Sequence, residues 1–226
     1  ILSLSNRCKV TERWNKELVW GCGQSGIRDL QVLCQPWLES NYSSDDRYHN
    51  ARNGTFAPTL AVAETFYTKN GVPMDEDKNY DYSKRYTTQV ATEADKYYIQ
   101  PGYTTAKLHF DREPRFYATI GFCHSFWPGT SSSENQYKNI EVTYYSDGYA
   151  SANPDHPEDY NRTGYTCVKY RHLEDEMKKG TVKAKYFPVF RYAETLLNYV
   201  EAINELREPY TLEMPNGSQV TVEHNT

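Results

Sequence analysis

Apolar residues recur at three- and four-residue steps most clearly near the C-terminal end of the chain. In PVFRYAETLLNYVEAINEL, residues 188–206, Val189, Ala193, Leu196, Val200 and Ile203 form one stripe, which Leu197 and Leu206 widen. Pro188 fits the first helical turn, where its missing N–H costs nothing, and Pro209 stops the pattern. The spacing predicts a helix over 188–206. Directly after it, YTLEMPNGSQVTVEH, residues 210–224, sets two runs of β-formers on either side of Pro215-Asn216-Gly217, which predicts a hairpin. TLAVAETFYTKNG, residues 59–71, reads as a second helix, started by Pro58-Thr59 and ended by Asn70-Gly71. RFYATIGF, residues 115–122, alternates and predicts a strand with Phe116, Ala118 and Ile120 on one side. EADKYYIQPGYTTAKLHF reads as mixed strand and turn.

Between these elements lie two long irregular stretches, residues 35–57 and 123–165, polar but rich in aromatic rings. Loops longer than about 12–15 residues are usually functional or disordered, and the aromatic content argues against disorder. The composition strengthens that point. Of 226 residues, 38% are hydrophobic, 15% are aromatic and 21 are tyrosines. A tyrosine joins an apolar ring to a polar tip, which suits half-wet surfaces and clefts as well as the packing of a loop-rich fold.

The net charge is -5, and lysines and arginines form no long block, so a nucleic-acid partner has little support. No apolar run approaches the ~20 residues of a membrane span. The chain opens on Ile1-Leu2-Ser3-Leu4, with neither a signal peptide nor an initiator methionine, and looks like the interior of a longer precursor. Five cysteines without a C-x-x-C pair make a zinc site improbable. One or two disulfides fit an oxidising compartment, and the sequence does not choose between them. Sequons at Asn41, Asn53, Asn161 and Asn216 read as loop composition.

GVPMDEDKNYDY, residues 71–82, places Asp75, Asp77, Asn79 and Asp81 at every second position, the opening rhythm of an EF-hand loop. Counted from Asp75, position six is Tyr80 and position twelve is Tyr86, where the loop requires glycine and a bidentate glutamate. A solvated acidic turn is the preferred reading, and no metal or other cofactor is expected. Gly21-x-Gly23-x-x-Gly26 matches a dinucleotide fingerprint letter for letter, but no βαβ unit surrounds it. No nucleophile elbow and no H-E-x-x-H occur, and His109, His124 and His156 are scattered, so surface or packing roles are expected. A glycosidase carboxylate pair has no specificity among 30 acidic residues. Aromatic platforms for carbohydrate remain. A ring covers the apolar C–H face of a sugar while Asn, Asp, Arg and Gln satisfy its hydroxyls. Trp37, Tyr42, Tyr48, Trp127 and Tyr137 lie in polar loops, whereas Trp14 and Trp20 sit in a more patterned segment and are expected to pack.

Several segments together resemble the SusD/RagB family. They are FAPTLAVAETFYTKNGVPMDEDKNYDY, YYIQPGYTTAKLHFDREPRFYATIGF, TGYTCVKY and PVFRYAETLLNYVEAINEL, within residues 11–214. The most specific are D-R-E-P-R-F-Y-A-T-I, residues 111–120, and R-x-A-E-x-L-L-N-Y-x-E-A, residues 191–202. The resemblance implies a non-catalytic lipoprotein on the extracellular face of the outer membrane. Such a protein captures oligosaccharides, or in RagB-like members peptides, and delivers them to a SusC-like TonB-dependent transporter. Membrane attachment would run only through an N-terminal lipid anchor outside this chain. The implied fold is mainly α, with tetratricopeptide-like helix pairs forming an α/α superhelix beside a large irregular loop-rich region. This chain reads as a middle-to-C-terminal fragment of it, without the N-terminal half and the C-terminal end. Residues 1–187 are then the loop-rich ligand face, and 188–226 a supporting helix and hairpin. The fragment itself is expected to be mixed, with few helices, short strands and a terminal hairpin. Loop position and chemistry nominate Trp37, Tyr42, Arg47, Tyr48, Asn50 and Trp127 as ligand contacts. A secreted glycoside hydrolase domain is the reading from another class.

Overall fold

In the computed structural model, residues 16–22, 27–34, 36, 56–127, 140–148, 150–151, 160–170 and 187–223 are described. They fall into two units, one within Gln24–Lys185 and the other within Glu12–Gly23 and Tyr186–Thr226. The elements are β1 (Leu18–Cys22), α1 (Ile27–Leu33), α2 (Leu60–Glu64), β2 (Thr88–Val90), β3 (Thr104–Ala106), α3 (Pro114–Thr119), β4 (Ile120–Phe122), β5 (Phe126–Trp127), β6 (Ile140–Glu141), β7 (Tyr165–Cys167), β8 (Phe187–Arg191), α4 (Tyr192–Asn204), β9 (Tyr210–Glu213) and β10 (Gln219–Val222). The described residues are mixed rather than helix-rich, and only α4, at 13 residues, exceeds the 7 of α1. The strands pair two by two: β1 with β8, β2 with β3, β4 with β7, β5 with β6 and β9 with β10.

The larger unit is organised around Phe116, Phe122, Leu108, Ile99, Phe110 and Ile120, joined by Ala63, Met74, Tyr80, Ala91 and Tyr165. A smaller cluster joins Trp127, Val142 and Val168, with Tyr144 against it. Both clusters depend on the segment 114–127, of which the alternation predicts residues 115–122 as strand. The structure makes its first part a helix. Pro114 occupies the first helical position, where its fixed φ is pre-organised. The helix buries Phe116 and Ala118, and Ile120 then turns extended at φ -108, ψ 125. Of residues 115–122 only Ile120–Phe122 form a strand, all three residues buried, with Gly121 opposite Thr166. A Cβ on Gly121 would stand 3.0 Å from Val168 Cγ2 and 3.4 Å from Trp127 Cζ3, so the glycine is what lets the two clusters meet.

Helix α2 is shorter than the predicted 59–71. Thr59 caps it, its hydroxyl accepting from Val62 N. It stops because Tyr67 N, which in a continuing helix would bond Ala63 O, donates to Glu113 Oε1 at 2.9 Å instead. Asn70-Gly71 then belongs to a separate tight turn, with Gly71 at φ +73 and Gly71 N donating to Thr68 O at 3.0 Å.

In the other unit, the predicted helix start at Pro188 gives way to strand β8. A residue before proline is pushed out of the α region, and here Phe187–Arg191 pair antiparallel with β1, Pro188 opposite Gly21. Proline is tolerated in such a two-stranded edge. The helix begins only at Tyr192, whose N–H donates to Glu17 O at 2.9 Å. Its apolar stripe is exposed at Leu196, Leu197 and Val200. The hairpin forms as predicted. Glu213 faces Gln219, Gly217 N donates to Met214 O at 2.8 Å, and Gly217 takes φ +77. Asn216 Oδ1 accepts from Ser218 N at 3.0 Å, so this sequon asparagine builds the turn.

Candidate functional site

The segment DREPRF, residues 111–116, is a clasp. Arg112 is buried, and burial pushes its pKa down from the ordinary arginine value. Its Nη1 donates to Leu108 O at 2.8 Å, and its Nη2 donates to Ala63 O at 2.8 Å and Phe66 O at 2.7 Å. The guanidinium also lies 4.4 Å from the Phe116 ring centre. Glu113 Oε1 accepts from Tyr67 N and, at 3.2 Å, from Arg115 Nη2. Asp111, at φ 54, pairs with Lys69 Nζ at 2.7 Å. The donors of Arg112 are consumed by backbone carbonyls, so the clasp joins α2 to α3 and is not shaped to hold a ligand.

A second polar line is fully enclosed. Thr105 Oγ1 donates its one hydrogen to Cys123 O at 3.0 Å, so toward His109 Nδ1, 2.8 Å away, it must accept. That leaves Nε2 as acceptor for the Tyr165 hydroxyl at 3.1 Å. The imidazole stacks on Phe122 with centroids 4.2 Å apart. Burial, reinforced by the nearby Arg112 and His124, lowers the His109 pKa to about 3. Burial likewise raises that of Tyr165 to about 12. A neutral, enclosed imidazole between two hydroxyls is a packing group, not a proton shuttle to solvent.

The surface carries a different arrangement. Tyr103, His124 and Tyr145, from three separate segments, form a row of rings. The Tyr103 and His124 centroids are 4.7 Å apart at 34°, and those of His124 and Tyr145 are 5.4 Å apart at 28°. His124 is buried, while Tyr103 and Tyr145 keep 42% and 49% of their surface exposed. The backbone under each ring is tied. His124 N donates to Val142 O at 2.7 Å and Gln100 N to His124 O at 3.0 Å. Ala91 N donates to Tyr103 O, and Gly148 N to Tyr145 O, each at 2.8 Å. His124 and Asp147 both stand at φ 67.

The model of the SusD family matches residues 24–215. The chain belongs to the SusD family. A solved structure described as selenomethionine BT4246 is similar in fold, with a TM-score of 0.57 and 24% identity over 84% of this chain. The chain spans about a third of the length of that structure, 32%. No curated protein matches the sequence.

Within this SusD-family chain, the clasp and the helix α4 hold the two segments that carried the resemblance, and both have structural parts to play. Of the nominated ligand contacts, Trp37, Tyr42, Arg47, Tyr48 and Asn50 lie outside the described residues, as do Trp14, Tyr137 and His156. Trp127 does not present a platform. It is 1% exposed and packs with Val142 and Val168, because β5 pairs with β6 and turns the ring inward. Trp20, expected to pack, is 66% exposed.

The acidic stretch is likewise structural. Asp77 Oδ2 accepts from Thr68 Oγ1 at 2.5 Å and Asn70 Nδ2 at 2.9 Å, and Oδ1 accepts from Asn79 N at 2.8 Å. These bonds hold its pKa below the usual carboxylate value. Asp81 is drawn down to about 2 by its bonds to Lys84 and Ser83. Among the described residues no three His, Cys, Asp or Glu side chains are placed to hold a metal. Sequence reasoning missed the ring row, since its members are about 20 residues apart and single tyrosines carry no signal. The turn before Tyr103, with Gly102 at φ +84, was the one local hint.

Proposed function

We propose that this SusD-family chain serves a non-catalytic surface protein that captures oligosaccharides and hands them to a SusC-like TonB-dependent transporter. The site of action would be the extracellular face of the outer membrane, reached through a lipid anchor, with no cofactor. The observation that carries the reading is the contrast between polar groups inside and rings outside. Arg112, His109 and Asp77 spend their hydrogen bonds on the protein itself, while Tyr103 and Tyr145 stay exposed on tied backbone. That contrast supports contact over chemistry. No helix among the described residues is long and apolar enough to cross a membrane. The exposed stripe of Leu196, Leu197 and Val200 on α4 supports packing against further helices, as helix pairs of a superhelix require.

An oligosaccharide array probed with the chain, run beside a reducing-end assay, tests this. Binding without release of reducing ends is the expected result. A blank array with binding of a peptide digest would replace glycan capture by peptide capture. Release of reducing ends that stops on one Asp→Asn or Glu→Gln change would make the protein a hydrolase.

A further inference from the structure

We propose that Tyr103, His124 and Tyr145 form one subsite for a pyranose ring, the sugar's C–H face lying on one exposed tyrosine ring that the rest of the row holds in place. The proposal rests on the glycan-capture reading and names where on the described surface the contact is made.

Three observations lead to it. The first is exposure of paired rings. Among the described residues, the two tyrosines that stack to pack are drawn in. Tyr98 and Tyr117 stack at 4.1 Å, lie against the main core, and Tyr117 donates its hydroxyl to His109 O at 2.9 Å. Tyr103 and Tyr145 instead keep nearly half their surface in water while resting on a buried imidazole.

The second is strain. Among the described residues three non-glycine positions have positive φ: Asp111, His124 and Asp147. Asp111 belongs to the clasp, held by Lys69. The other two both belong to the ring row, His124 as its middle member and Asp147 in the turn that carries Tyr145. Side chains in this region are disfavoured and persist where the surroundings hold them, which is common at ligand clamps.

The third is rigidity. Hydrogen bonds from Gln100, Ala91 and Gly148, and from His124 itself, fix the backbone at all three positions. A ring held in place loses little entropy when a ligand settles on it, so more of the contact energy appears as affinity. The chemistry of the row matches a sugar. Two phenols offer flat apolar faces with hydroxyls at their edges, and the exposed Asp147 is an acceptor for the sugar's hydroxyls.

The test measures binding of the 226-residue chain to cellohexaose, maltohexaose, laminarihexaose and mannohexaose by calorimetry. For whichever is bound, Tyr103→Ala and Tyr145→Ala should each weaken affinity about tenfold. Tyr103→Phe and Tyr145→Phe, which keep the ring faces, should stay within about threefold. His124→Asn, which tolerates the same backbone, should also weaken binding. Trp20→Ala, an exposed ring in the other unit, should change nothing. On the unaltered protein, ring protons of the bound sugar should shift upfield in NMR spectra, a readout independent of how any variant folds. Alanine variants that bind like the unaltered chain, or a bound sugar without upfield shifts, would overturn the subsite and leave glycan capture standing. A chain that binds none of the four sugars but binds a casein peptide digest would overturn both, and binding to neither would do the same.

Discussion

Arg112 donates from Nη2 to the carbonyl oxygen of Ala63 at 2.8 Å, 49 residues earlier in the chain, and ends helix α2 from outside. A buried guanidinium that satisfies carbonyls of Ala63, Phe66 and Leu108 cannot be removed without leaving all three unpaired. Arg112→Met should cost about 3–5 kcal/mol, read as a lower urea midpoint at unchanged slope. Arg112→Lys should recover less than half of that, since an ammonium lacks the planar fork that reaches several carbonyls at once.

Asp77 organises the acidic turn, with both oxygens already taken by Thr68, Asn70 and Asn79. Asp77→Ala should therefore lower the melting temperature by several degrees. Calcium at millimolar concentration should leave the melting temperature of the unaltered chain where it was. A calcium-dependent rise would restore the metal reading of this stretch.

His109 makes stability depend on pH. Its folded-state pKa is about 3, against about 6.5 in an unfolded chain. Between those values the unfolded chain takes up a proton that the folded one refuses. Stability is therefore greatest above about pH 6.5 and falls as the pH drops toward 3, by at most about 1.4 kcal/mol per unit. Carboxylates held low, such as Asp77 and Asp81, add their own loss only as the pH falls below about 4. Urea midpoints from pH 6.5 to 4.5 should slope clearly for the unaltered chain and less steeply for His109→Gln.

Two glycines separate conformational from steric cost. Gly217 sits at φ +77 with nothing near its missing Cβ, so Gly217→Ala should cost about 1 kcal/mol, all of it backbone strain. Gly121→Ala meets Val168 at 3.0 Å and should cost about 1–3 kcal/mol through overpacking. Thermal melts of the two variants check both values.

The hairpin around Pro215-Asn216-Gly217 was legible because its turn chemistry is local. The helix around Leu196 and Val200 was legible because its period is long, but its start was not. Pairing of Pro188 with Gly21 is a contact across the chain that no window of sequence contains. Residues 115–119 misled for a related reason. Phe116, Ala118 and Ile120 are all buried, which fits either period, and Pro114 decides for helix. The family was readable from DREPRFYATI, yet that segment spends its side chains on internal bonds and says nothing about ligand. The ring row needs three distant turns to converge, so only the fold reveals it. Trp127 marks the same limit: its aromatic loop suggested a wet ring, and pairing of β5 with β6 makes it dry.

That dryness gives the protein an optical handle. Trp127 at 1% exposure and Trp20 at 66% lie in different units. The first should emit blue and resist acrylamide, and the second should emit red and be quenched at once. With Trp14 and Trp37 changed to phenylalanine, the colour of the remaining emission reports separately on each of the two units, without any label.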